Sequence, residues 1–161
     1  MRYYWDLIRH FFIANSRHGT HSPFVYDLAV NAVYAVSSVY THHVNVPLGL
    51  KPRYKKLLLR ILERMEKKEV AYFQKATDAD VLWVDLKETS MPVPNIIEAV
   101  RQGKVIIVHE PFQTIKTKRL WQQLVQSKDV VVSINLFHFG LLMYRKEQQK
   151  ENFRLRYPFW R

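Results

Sequence analysis

Two apolar runs near the end of the chain, 130–136 and 141–145, are separated by only four residues, Phe137 to Gly140. Parallel strands in one sheet need a crossover of about a dozen residues or more, so these two runs can pair only as an antiparallel hairpin. Upstream the pattern differs. The runs at 81–84 and 105–108 are continuously apolar, as strands buried on both faces of a sheet are. The segments between them read as helices: Pro94 opens one carrying Ile96, Ile97 and Val100 and ended by Gly103, and a second over 115–127 carries Ile115, Leu120, Trp121, Leu124 and Val125. Alternating strand and helix predicts parallel βαβ units with right-handed crossovers. Short runs at 70–73 and 153–157 read as further strands. The expected fold is thus a three-layer α/β domain. Its strands at 81–85, 105–108 and 130–136 run parallel, and 141–145 returns antiparallel.

The first 68 residues show a helical period instead. Tyr3, Tyr4, Leu7, Ile8, Phe11 and Phe12 recur at helical spacing and predict a helix over 2–14 with an aromatic face. Ser22 caps a second helix, with Pro23 in its first turn, that extends to about Val36. Pro52 opens a third. There Tyr54, Leu58, Ile61, Leu62 and Met65 share a face, while Lys51, Lys55, Lys56, Arg60, Glu63, Arg64 and Lys67 fall largely elsewhere. One domain spans 1–161, divided into a helical cap over 1–68 and a sheet-forming part over 69–161.

Charge and composition narrow the chemistry. The formal net charge is +11, and it is uneven: residues 1–68 hold 11 Lys/Arg against 4 Asp/Glu, 69–140 hold 8 of each, and 141–161 hold 6 against 2. Basic ends around a neutral middle attract anionic partners, and the basic set Lys51, Arg53, Lys55, Lys56 and Arg60 is a candidate anion-binding face. With no cysteine, disulfides, thiolate metal sites and cysteine nucleophiles are excluded. No apolar run reaches the length of a bilayer span and the N-terminus lacks the pattern of a signal peptide, so a cytoplasmic protein without a membrane partner is expected.

Three segments carry a family resemblance: HGTHSPFVYD over 18–27, KPRYKKLLLRI over 51–61, and LFHFGLLMYRKE over 136–147 followed by FRLRY over 153–157. Together with the terminal hairpin they resemble a bacterial branch of the class I S-adenosylmethionine-dependent methyltransferases. The resemblance implies a Rossmann-like sheet closed by an antiparallel hairpin. It also implies a strand after the third helix, a glycine-rich turn against the cofactor, and an acid holding the ribose. Only glycine lets a backbone approach a ligand without an intervening Cβ. Here the glycines are Gly19, Gly49, Gly103 and Gly140, no two closer than thirty positions. The chain therefore resembles a truncated methyltransferase sheet that has lost the half gripping the cofactor.

Within the resemblance, Asp85 matches the family's strand-end acid and Glu88 stands where a histidine is usual. His109 and Glu110 stand where metal-assisted relatives carry two acids, and Asn135 replaces an acid in the hairpin. Asp85, Glu88, His109 and Glu110 form a candidate polar cluster at the carboxyl edge of the sheet, where α/β proteins place ligands. For His18, His21, His42 and His43 the sequence supplies no sign of the converging third and fourth ligands a zinc site needs, and Ser22 has no glycine elbow or oriented base.

The reading that follows is a methyltransferase-like, non-catalytic interaction module, with no cofactor expected. Half a doubly wound sheet would expose an edge and an apolar face, which predicts a homodimer or another protein partner. Two alternatives remain. One is an active methyltransferase with an unconventional or partner-completed S-adenosylmethionine site; the other is a binder of nucleic acid or another polyanion through its basic helices.

Overall fold

The computed structural model describes residues 2–14, 22–35, 46, 49–74, 78–87 and 93–157. Helices α1 (Arg2–Ile13), α2 (Pro23–Leu28) and α3 (Pro52–Arg64) precede strands β1 (Ala71–Tyr72) and β2 (Val81–Asp85). Next come α4 (Val93–Arg101), β3 (Val105–His109), α5 (Ile115–Gln126), β4 (Val132–Asn135), β5 (Phe139–Met143) and β6 (Glu151–Arg154). The helix starts follow the capping chemistry in the sequence. Ser22 accepts from the Val25 amide, with Pro23 in the first turn of α2, and Pro52 opens α3. At α5 the Thr114 hydroxyl accepts from Thr117 N while the Thr117 hydroxyl accepts from Thr114 N, each at 3.0 Å, so two orphan amides are satisfied reciprocally. The far end of α5 is closed by Lys150, whose ammonium donates to the carbonyls of Val125, Ser127 and Val130.

The six strands form one sheet in the order β1-β2-β3-β5-β4-β6. Pairs β1/β2, β2/β3 and β4/β6 are parallel, whereas β5 is antiparallel to both β3 and β4. The expected hairpin is present, and β5 is inserted between β3 and β4, so that β4 points the same way as β3 without pairing with it. The turn is one residue tighter than the sequence spacing suggests. Phe137 has φ of 71°, and His138 N donates to the Leu136 carbonyl across it, a γ-turn of the strained positive-φ kind. Asn135 holds that turn by accepting from Phe137 N at 2.9 Å.

Alternation along the strands builds two cores. On one face Val81, Trp83, Val105, Ile107, Ile134, Phe139 and Leu141 pack against α2, the wide π-helical turn Ala29–Val33 that continues it, and α3. On the other, Leu82, Val84, Ile106, Val108 and Leu142 pack against α4 and α5. Gly140 lies in β5 because of this second layer. A Cβ there would stand 2.3 Å from Cη2 of Trp121, whose ring lies against the strand.

Two helices cannot cover six strands. On the α5 face the apolar packing stops at β5, and the β4–β6 strip beyond it turns polar, with Ser133 bonded to Asn152 at 2.8 Å. Instead of a third helix in that layer, α1 lies across the carboxyl ends of β3, β4 and β6. Its Tyr3 meets Glu110 after β3, its His10 meets Phe137 after β4, and His10 also bonds the Leu155 carbonyl after β6. Apart from that polar strip, both faces of the sheet are packed. The apolar surface expected there is found on α1, where Tyr4, Trp5, Ile8, Phe12 and Ile13 are exposed.

Candidate functional site

Strands β2 and β3 are in register with Asp85 beside His109, so the carboxyl edge does bring these two expected residues together. His109 Nδ1 lies 3.4 Å from Asp85 Oδ2, and the ring stacks on Trp83 with centroids 5.1 Å apart. Asp85 Oδ1 is already engaged by the Lys87 amide. Gly49, at φ of 121°, brings its backbone against the His109 ring, and a Cβ there would sit 3.2 Å from Cε1. Close backbone approach to a side chain accounts for a glycine that the sequence left without a role.

Glu110 goes the other way. At φ of 43° it leaves β3 in a left-handed turn, which swings its side chain away from Asp85 and toward the β4–β5 turn. Its amide donates to the His138 carbonyl at 2.8 Å. Its carboxylate is doubly held, with Oε1 2.9 Å from His138 Nδ1 and Oε2 accepting from the Tyr3 hydroxyl at 3.1 Å. His138 in turn lies against the Tyr54 ring, centroids 4.1 Å apart. Burial, with the Glu110 charge adding to it, raises the Tyr3 phenol far above its ordinary value, so that hydroxyl remains a donor.

The four-residue cluster read from the sequence is therefore two separate arrangements. Asp85 and His109 make one, and Tyr3, Glu110 and His138 make the other, while Glu88 lies outside the described residues. Among the described residues no three His, Asp or Glu side chains converge as a metal site. The histidines at 18, 21, 42 and 43 also lie outside the described residues.

The basic set on α3 divides similarly. Lys51, Lys55 and Lys56 are exposed, and the Arg53 guanidinium stacks over the Tyr157 ring at 4.7 Å. Arg60 is buried, in contrast to the outward position its charge suggests. It donates to the carbonyls of Ala35 and Val33 and to the Tyr157 hydroxyl, pinning the turn after α2 to the C-terminal segment. This is a structural use of a cation, satisfying carbonyls that no helix bond reaches.

Two cavities flank α1. The smaller, of about 20 Å³ among Tyr54, His138, Phe137 and Tyr157, has room for a single water. The larger is an open cleft of about 420 Å³ between α1, α5 and the polar strip of β4 and β6. Sequence reasoning missed Tyr3 and His138 as partners of Glu110, although both stood in segments already singled out, the aromatic helix and the hairpin motif. It also missed the cleft, because Arg9, Lys118, Ser133 and Asn152 are far apart in the chain and belong to no motif.

Compared with known proteins, the chain matches no family model, no curated protein and no solved structure.

Proposed function

We propose that the protein is a methyltransferase-like interaction module without catalytic activity, and that α1 is its docking element. The observation that carries this reading is the double use of α1. Its inner face covers the carboxyl ends of β3, β4 and β6 through Tyr3 and His10, and its outer face leaves Tyr4, Trp5, Ile8 and Phe12 in solvent. Where β3 and the β4–β5 turn end, the edge is filled by the chain's own aromatic and imidazole rings, which favours structural over catalytic use of that part of the fold. An apolar stripe spaced at i, i+4 and i+8, here Tyr4, Ile8 and Phe12, is the form in which helices present a partner surface. Aromatic residues also dominate the energetic centres of interfaces.

The first occupant of that stripe is a second copy of the chain, because a stripe can pair with itself about a twofold axis. Two chains of this charge repel each other, so their association should tighten as salt rises. Polyanion binding through Lys51, Arg53, Lys55 and Lys56 does the opposite, since phosphate contacts weaken with salt. Light scattering over a concentration series at low and high salt tests the docking reading, with a dimer that strengthens with salt as the expected result. Calorimetry with S-adenosylmethionine tests the absence of catalysis. Micromolar binding to the isolated protein would replace this reading with the methyltransferase alternative.

A further inference from the structure

We propose that the open cleft between α1, α5 and the β4–β6 strip is a binding site for a small organic phosphate, with the phosphate held between Arg9 and Arg154.

The charge balance points to a dianion. Three cations line the cleft, Arg9, Lys118 and Arg154, against one carboxylate, Asp6. Asp6 is already neutralised: Lys118 Nζ lies 2.6 Å from its Oδ1 and Arg2 Nε 3.6 Å from its Oδ2. The other two cations are left over. Arg9 and Arg154 are exposed, and neither guanidinium makes a hydrogen bond or ion pair among the described residues. The contact between His10 and the Leu155 carbonyl fixes their placement. Each arginine immediately precedes one partner of that contact, so both stand on the rim where α1 crosses β6.

The hydrogen-bond balance points the same way. Asn135 Oδ1 is committed to the Phe137 amide, and because a backbone N–H can meet only the oxygen, the Asn135 NH2 group is the part left to donate. Asn152 Oδ1 accepts from the Ser133 hydroxyl, leaving its NH2 group as well. Beside Gln122 and Gln126, the cleft offers two guanidinium forks and two amide donors, a donor-rich set that calls for an acceptor-rich ligand. A phosphate monoester carries roughly −1.5 to −2 at neutral pH and matches both the charge and the donors. Phe137 and Phe112, stacked on each other with centroids 5.2 Å apart, supply an apolar wall for its organic part. The volume lies within the range of small-molecule sites, about 300–1,000 Å³.

The test uses the full chain at about 0.15 M salt, where diffuse surface attraction is screened beyond about 8 Å. Adenosine 5′-monophosphate, glucose 6-phosphate and inorganic phosphate are titrated beside uncharged adenosine and glucose, with calorimetry and the side-chain NH2 resonances of Asn135 and Asn152 as readouts. The phosphates are expected to bind saturably and move both resonances, while adenosine and glucose do neither. The double variant R9Q/R154Q should weaken phosphate binding about tenfold or more, the value of losing charge-assisted bonds. K68Q/K146Q removes the same net charge from exposed positions outside the cleft and should change binding less than about twofold. Equal weakening by the two doubles would reduce the effect to net charge and overturn the site. So would adenosine binding as tightly as its phosphate, unmoved Asn135 and Asn152 resonances, or no saturation at millimolar phosphate ester.

Discussion

Helix α1 covers two places on the same sheet edge and treats them differently. Near its first turn it meets Glu110 and His138, and there both carboxylate oxygens are matched by Tyr3 and His138 and the surroundings are filled by rings. Farther along it roofs the cleft, where donors from Arg9, Arg154, Asn135 and Asn152 outnumber the acceptors left to receive them. An unmatched polar group costs little in contact with solvent and much when buried. A region can therefore close only when its polar atoms are balanced within the chain, and the unbalanced region stays open to water or a ligand. Balance, more than the mere presence of polar residues, separates the structural edge from the candidate site.

The largest effect is expected from disturbing the wall the cleft shares with the core. Gly140→Ala places a methyl group against Trp121, whose indole both packs on β5 and lines the cleft. Overpacking of this kind is expected to cost about 3 kcal/mol, read as a lower urea midpoint at unchanged slope. An unaffected midpoint would mean that Trp121 is free to move and that the cleft has no fixed back wall.

The boundary between the two regions is His10, and it makes the difference pH-dependent. Burial holds its imidazole neutral, pushing the pKa down to about 4 despite the opposing bond to the Leu155 carbonyl, and Arg154 adds to the depression. Unfolded, the ring titrates near 6.5, so as pH falls the unfolded chain takes up this proton first. The contribution to stability is full above about 6.5 and is lost progressively toward about 4, roughly 3 kcal/mol in all. Denaturation at a series of pH values should show that loss. His10→Gln, which stays neutral throughout, should flatten it, and an identical acid limb in the variant would remove His10 as its source.

Tyr3→Phe probes the closed region alone. It keeps the ring packed against Phe137 and deletes one of the two donors to Glu110, for an expected loss of about 1–2 kcal/mol. Phosphate binding in the cleft should be unchanged. If it changes in step with stability, the two regions are one unit and the contrast drawn between them fails.

Much of this arrangement was legible in the sequence, and the exceptions have a common cause. The strands at 81–85 and 105–108, the helices opened by Pro23 and Pro52 and the terminal hairpin follow from local periods and turn residues, which a sequence displays directly. The insertion of β5 between β3 and β4 does not, because sequence distance says which strands can pair as a hairpin but not what else they pair with. The polar cluster shows the same limit. Asp85 and His109 meet because strand register fixes neighbours, whereas the adjacent Glu110 leaves the cluster through a left-handed turn that no glycine or asparagine announces. Arg60 reads as surface by its charge and is interior by its partners, the carbonyls of Val33 and Ala35.

The inner and outer faces of α1 differ in what they hold: the inner face binds the fold and the outer face contributes little to it. Trp5 is 70% exposed, so Trp5→Ser should alter monomer stability by less than about 0.5 kcal/mol. Its effect on association should be much larger, because a solvent-facing tryptophan contributes to free energy only when something covers it. Light scattering of the variant at high salt, where repulsion between two basic chains is screened, should therefore show monomer at concentrations that give dimer in the parent protein. His10→Gln, on the inner face of the same helix, should change stability with pH and leave association alone. A Trp5 variant that dimerises normally would place the contact elsewhere and leave the outer face of α1 without its proposed use.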